Sequence, residues 1–157
     1  MSTTGTSIKN SGNKDNKKIV LILDTNAIFL VGKGYNFFED FEEQVSVRYD
    51  CIIPSFILEE AKRVIDSLPS GFKKRNLMLG LDFCLRRCSI RDFQKHEEES
   101  IDEALLDTAL YLKKQGFIAI VVTSDRELRR VLRQAGIASL FLKEERGRFV
   151  LEWSPVI

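Results

Sequence analysis

Five carboxylates in this chain stand where an α/β protein builds its sites. Asp24 directly follows the apolar run Ile19 to Leu23, in Leu23-Asp24-Thr25-Asn26, and Asp125 follows a second run, Phe117 to Val122, after the link Thr123-Ser124. Glu60 lies about one and a half turns into a helix that succeeds a third run at Cys51 to Ile53. Asp102 and Glu103 occupy the first turn of the helix that precedes Phe117. Converging carboxylates repel one another and resist burial, so a fold that gathers them does so for a cation or for catalysis. Hard oxygen donors of this kind suit Mg²⁺ or Mn²⁺. Such ions hold a phosphodiester, lower the pKa of a bound water and stabilise a leaving oxygen, which makes the chemistry hydrolysis at phosphorus.

Other chemistries fit less well. The only histidine, His96, falls in the acidic run His96-Glu97-Glu98-Glu99, read as a solvated loop, so no Ser-His-Asp or Cys-His set competes. Three cysteines and one histidine do not supply the paired spacings of structural zinc. The cysteines are read as reduced core residues in a cytoplasmic protein. Each acid also has a plain structural role: Asp24 to Asn26 can cap a helix, Asp125 suits a helix dipole, and Glu103 completes a capping box with Ser100. Their shared position separates the two readings, because acids follow strands at the rim where open parallel sheets bind ligands.

The elements that must position them are legible as alternating patterns. Ile19 to Leu23 is a short continuous apolar run, as a strand buried on both faces requires. Asn36 with Glu39 predicts a helix start, followed by Phe38, Phe41 and Val45 at helical spacing; Phe37, Phe38 and Phe41 are read as core or a dimer face. Pro54-Ser55 opens a helix to about Leu68, and a basic turn, Lys73-Lys74-Arg75, leads into another ending near Arg87. Ser100 with Glu103 starts a helix closed by Gly116; Ser124 with Glu127 starts another closed by Gly136. Ala138 to Leu142 and Arg148 to Glu152 read as a hairpin around Arg146-Gly147. Strands alternating with helices predict a three-layer α/β/α fold around a mostly parallel sheet.

The chain's 157 residues suit one domain, taken as residues 19–157 behind a tail over residues 1–18, where fifteen positions are Ser, Thr, Gly, Asn or Lys. No run reaches the length of a membrane span and no secretory signal is seen at the N-terminus, which predicts a cytoplasmic protein with no membrane partner. The net charge of +1 hides segregation: Lys95 to Asp107 carries six acids and one Lys, and Arg126 to Arg133 carries four Arg and one Glu. Arg126, Arg129, Arg130 and Arg133 form one stripe at helical spacing beside Asp125. Phosphate neutralisation accounts for such a stripe, and so does a solvated helix face.

Four motifs occur in order: Leu-Asp-Thr-Asn after an apolar strand, Ile-Pro-x5-Glu (Ile53, Pro54, Glu60), Ile-Asp-Glu-Ala-Leu-Leu (Ile101 to Leu106), and Thr-Ser-Asp-Arg-Glu-Leu (Thr123 to Leu128). Together they resemble a PIN domain over about Ile19 to Leu142, closest in appearance to the archaeal and ribosome-maturation-factor branch. The resemblance implies an endoribonuclease that uses Mg²⁺ or Mn²⁺ to cleave single-stranded or flexible RNA, leaving a 5′-phosphate. It carries metal or water binding onto Asp24, Glu60 and Asp125, with Asn26, Thr123 and Ser124 as polar supports. The third motif is satisfied by either Asp102 or Glu103. RNA is the implied substrate, in rRNA processing, RNA decay or a toxin role. An antitoxin or ribosome-assembly partner and a homodimer stay open. The alternative is a PIN-like RNA-binding or scaffold protein that does not cleave.

Overall fold

A computed structural model describes residues 17–153 of the chain; the tail expected over residues 1–18 falls, up to residue 16, outside the described residues. Six strands, β1 (Ile19–Leu23), β2 (Tyr49–Pro54), β3 (Ser89–Arg91), β4 (Ile118–Val122), β5 (Ala138–Lys143) and β6 (Arg148–Glu152), form one sheet in the order β3-β2-β1-β4-β5-β6. Neighbours run parallel except for the antiparallel β5–β6 hairpin. Six helices flank it: α1 (Thr25–Gly32), α2 (Phe37–Gln44), α3 (Ser55–Asp66), α4 (Phe72–Arg87), α5 (Ile101–Lys114) and α6 (Arg126–Gln134). This is the mostly parallel α/β arrangement that the alternating pattern predicts.

The central strand explains the layout. All five residues of β1 are buried, and it is bonded to β2 on one side and β4 on the other, which is why its sequence is apolar without alternation. The chain steps from β1 outward to β2 and β3, then returns to β4 on β1's opposite side. The direction of winding therefore reverses between β1 and β4, and ligands of open sheets bind beyond the carboxyl ends of strands at such a point. At the far edge, α2 covers β6. Asp40 accepts from the Phe149 amide at 2.8 Å, and Gln44 donates to the Phe149 carbonyl and accepts from the Leu151 amide, each at 2.9 Å. These side chains satisfy backbone groups that an open edge strand would leave unpaired. Phe37, Phe38 and Phe41 on the same helix are fully buried, so they are core.

Several expectations are corrected. Lys73, Lys74 and Arg75 lie in the first turn of α4, which begins at Phe72. β3 has three exposed residues and therefore no apolar signal. Its register, with Ile52 beside Ser89, brings the preceding residues Cys51 and Cys88 together, and they form a disulfide with their Cα atoms 4.6 Å apart. The reading of all three cysteines as reduced is thus wrong for this pair; such bonds are uncommon in reducing compartments. Cys84 is the buried thiol that the reading expects. On location, the structure supports one narrow statement: among the described residues no helix is long and apolar enough to cross a membrane.

Helices α1 and α4 cross at a glycine pair. A Cβ on Gly80 would stand 2.7 Å from the Ile28 carbonyl oxygen and 2.8 Å from the Gly32 nitrogen, both backbone atoms that cannot rotate away. Gly80→Ala is expected to destabilise the fold by about 1–3 kcal/mol, the usual range for overpacking. Urea denaturation checks this: an unchanged midpoint would mean that the helices are free to separate.

Candidate active site

The site begins at the β1 to α1 junction. Asp24 is the N-cap of α1 and is only 5% exposed. Its Oδ1 accepts from the Thr25 amide at 2.7 Å; its Oδ2 accepts from the Thr123 hydroxyl at 2.7 Å and from the Asn26 side-chain amide at 3.1 Å. The Asp24 amide itself donates to the Val122 carbonyl at 3.0 Å, which locks the end of β1 to the end of β4. Asn26 then spans the gap between strands, since its Oδ1 accepts from the Ser124 amide at 3.0 Å. Thr123, fully buried, also accepts from the Asp125 amide at 3.1 Å. One polar web thus fixes Asp24, Asn26, Thr123 and the entry to α6.

The expected Ser124–Glu127 cap is replaced here. Asp125 is the N-cap of α6, with its Oδ1 accepting from the Leu128 amide at 3.0 Å, while the Ser124 hydroxyl accepts from the Leu142 amide at 3.4 Å. A carboxylate at this place also complements the positive end of the helix dipole.

Two more acids reach the rim. Glu60 is half-buried on α3 and accepts a hydrogen bond from the Thr25 hydroxyl, whereas its neighbour Glu59 is exposed. Thr25 is a member of the web that spacing does not single out; the only sequence signal is its place inside Leu-Asp-Thr-Asn. Asp102 and Glu103 separate clearly. Glu103 is exposed and closes the capping box of α5, accepting from the Ser100 amide at 2.9 Å while its own amide donates to the Ser100 hydroxyl at 3.0 Å. Asp102 is half-buried and its pKa is raised, first by burial and then by the negative charges of Asp125, Glu60 and Glu127.

The electrostatics tie the set together. Burial pushes the Asp24 carboxyl from 3.8 to about 6 against the lowering effect of its hydrogen bonds from Thr123 and Thr25, with Asp102 and Glu60 adding to the rise. The groups that shift Asp24 and Asp102 include no lysine or arginine. Uncompensated carboxylates of this kind fit a hard divalent cation in donor chemistry. As they stand, however, no three His, Cys, Asp or Glu side chains among the described residues are gathered closely enough to hold one.

The arginine stripe divides. Arg129 bonds Glu152 at 3.3 Å and lies over the Phe141 ring, 3.4 Å from its centre; Arg133 bonds the same Glu152 at 2.9 Å. Arg130 pairs with Glu127 on its own helix. Of the four, Arg126 alone has no acidic partner among the described residues, and it is exposed. The stripe is therefore not one free basic face. Two of its members, Arg129 and Arg133, hold α6 against β6 through Glu152.

Comparisons with known proteins bear on the family and the fold. A family profile described as "PIN like domain" matches residues 21–145. In three dimensions the chain is similar to the PIN domain endonuclease Utp24, with a TM-score of 0.64 and 19% identity over 85% of this chain and 91% of that one. It is more loosely similar to VapBC2 from Rickettsia felis bound to a DNA fragment from their promoter, with a TM-score of 0.44 and 21% identity over 71% and 92% of the two chains. No curated protein matches the chain.

Proposed function

Since the chain belongs to the PIN-like domain family, we propose that it is a metal-dependent endoribonuclease acting on single-stranded or flexible RNA. One observation carries the reading: carboxylates from four separate elements repel across one rim, Asp102 and Glu60 raising the Asp24 carboxyl and Asp125 and Glu60 raising that of Asp102, and the groups that shift these two acids include no lysine or arginine among the described residues. In this reading Asp24, Glu60, Asp102 and Asp125 hold Mg²⁺ or Mn²⁺, and Glu103 is a helix cap. When bound, the ion supplies a water of lowered pKa and neutralises charge on the phosphate.

The remaining roles belong to the chain's own groups. Thr123 and Asn26 donate to Asp24 Oδ2 and so fix the carboxylate's plane, leaving its charge as the group that titrates near pH 6. Thr25 holds the Glu60 carboxylate toward the same rim. Asn26 couples Asp24 to the Ser124 amide, so a shift of the β4 to α6 link would move the acid as well. An antitoxin or ribosome-assembly partner, and a homodimer, are compatible with this role.

A second reading, an RNA-binding or scaffold protein that does not cleave, is favoured by the separation of the acids noted above. Incubating the chain with end-labelled single-stranded RNA tests both. Cleavage with 5′-phosphate products in Mn²⁺ or Mg²⁺, lost in EDTA and recovered on adding the ion, is the expected result. Intact RNA under every ion, with binding unchanged by EDTA, would establish the scaffold reading instead.

A further inference from the structure

Beside the acid rim lies a groove of about 640 Å³ that shares Asn26 and Ser124 with it. Its volume falls within the roughly 300–1,000 Å³ of sites that take small organic ligands, the size class of a nucleotide. Its walls come from elements far apart in sequence: Phe29 and Lys33 from α1 and its cap, Arg126 and Arg129 from α6, and Phe141 and Lys143 from β5. Resting on the nuclease reading, we propose that this groove is the subsite for an unpaired nucleotide of the RNA strand flanking the cleaved bond. Phe29 and Phe141 would take the base, and Lys33 and Arg126 the adjoining phosphates.

The division of labour follows from what each cation already does. Arg129 is held by Glu152 and stacked on Phe141, so it stiffens the ring. Its Nε is buried and has no hydrogen-bond partner among the described residues. Lys143 is paired with Glu145 at 3.6 Å, and Glu144 also lines the groove, so that end is acidic and repels a phosphate. Lys33 and Arg126 have no ion-pair partner among the described residues and leave the groove a net positive charge. Aromatic faces beside cations recognise bases only when these are unstacked and turned outward, which selects single strands over duplex. An anionic peptide would satisfy the cations equally; continuity with the acid rim through Asn26 and Ser124 favours the nucleic acid.

The test is fluorescence anisotropy of a labelled oligouridylate with the full chain in EDTA, where binding is read apart from cleavage. Phe141→Leu is expected to weaken binding about fivefold or more, the lower range for one stacked base. Lys33→Gln and Arg126→Gln are each expected to weaken it severalfold and to reduce the salt dependence by about one released ion. Binding of a blunt RNA duplex should change little with Phe141→Leu. Because Phe141 is partly buried, circular dichroism checks its fold, and the two charge variants test the groove independently. Wild-type affinity in both charge variants would overturn the proposal, as would tighter binding of an anionic peptide that displaces the oligonucleotide. A groove that binds in a chain that never cleaves would refute the nuclease reading alone; cleavage with wild-type parameters in all three variants would refute the groove alone.

Discussion

Replacing Asp24 with Asn is expected to abolish RNA cleavage and, at neutral pH, to make the folded chain more stable. Burial, opposed by the Thr123 and Thr25 hydrogen bonds and aided by Asp102 and Glu60, sets the Asp24 carboxyl at about 6 against an ordinary 3.8. The native state thus holds this proton more tightly than the unfolded chain. Stability contributed by the protonated form is complete below pH 3.8 and is lost as pH rises through about 6. At about 1.4 kcal/mol per pKa unit, the ionised side chain costs the fold about 3 kcal/mol at neutral pH. Asparagine removes that cost but turns an amide toward Thr123 and Asn26, which both donate to Oδ2, and reorienting them takes back about 1 kcal/mol.

The net gain is therefore about 1–2 kcal/mol at neutral pH, and the order reverses in acid, where wild type carries the proton and keeps its hydrogen bonds. Urea denaturation at pH 4 and pH 8 reads both signs. A variant less stable than wild type at both would show that the ionised carboxylate is no burden in this fold. Mn²⁺ supplies a further contrast: a ligand that binds only the folded state raises the unfolding midpoint. It should do so for wild type and much less for Asp24→Asn.

What the sequence discloses of this site is its carboxylates, because the physics that places them is local. A strand buried on both faces must be apolar, the next residue begins a helix, and an acid is favoured there as a cap; Asp24 shows this logic in six consecutive residues. Which of Asp102 and Glu103 faces the rim is not local. Both lie in the first turn of α5, and only packing of Ala104, Leu105 and Thr108 fixes the helix phase that turns one inward. The stripe on α6 misleads for the same reason: helical spacing shows which arginines share a face, and Glu152, from the last strand, decides what that face does. Cys51 and Cys88 meet only through the register of β3, three exposed residues with no pattern to read. The groove is invisible in sequence because its two phenylalanines lie on α1 and β5, each reading as an ordinary core position.

The sharpest use of this geometry is to separate Asp102 from Glu103. Asp102→Asn is expected to lower cleavage on the order of 100-fold or more, the scale on which single electrostatic groups act in active sites. Its stability should hold or rise at neutral pH, because burial and the charges of Asp125 and Glu60 oppose ionisation of this carboxyl. Glu103→Ala should do the opposite. It breaks the capping box with Ser100 and costs about 1 kcal/mol of stability, with cleavage close to wild type. Parallel measurement of thermal midpoints and initial cleavage rates distinguishes the pair, because Asp102→Asn loses rate without losing stability and Glu103→Ala loses stability without losing rate. If activity followed Glu103 instead, the first turn of α5 would have to give up its cap on loading. The stability bonus of Asp102→Asn would then persist without any loss of rate, which would place the charge conflict at Asp102 outside the chemistry.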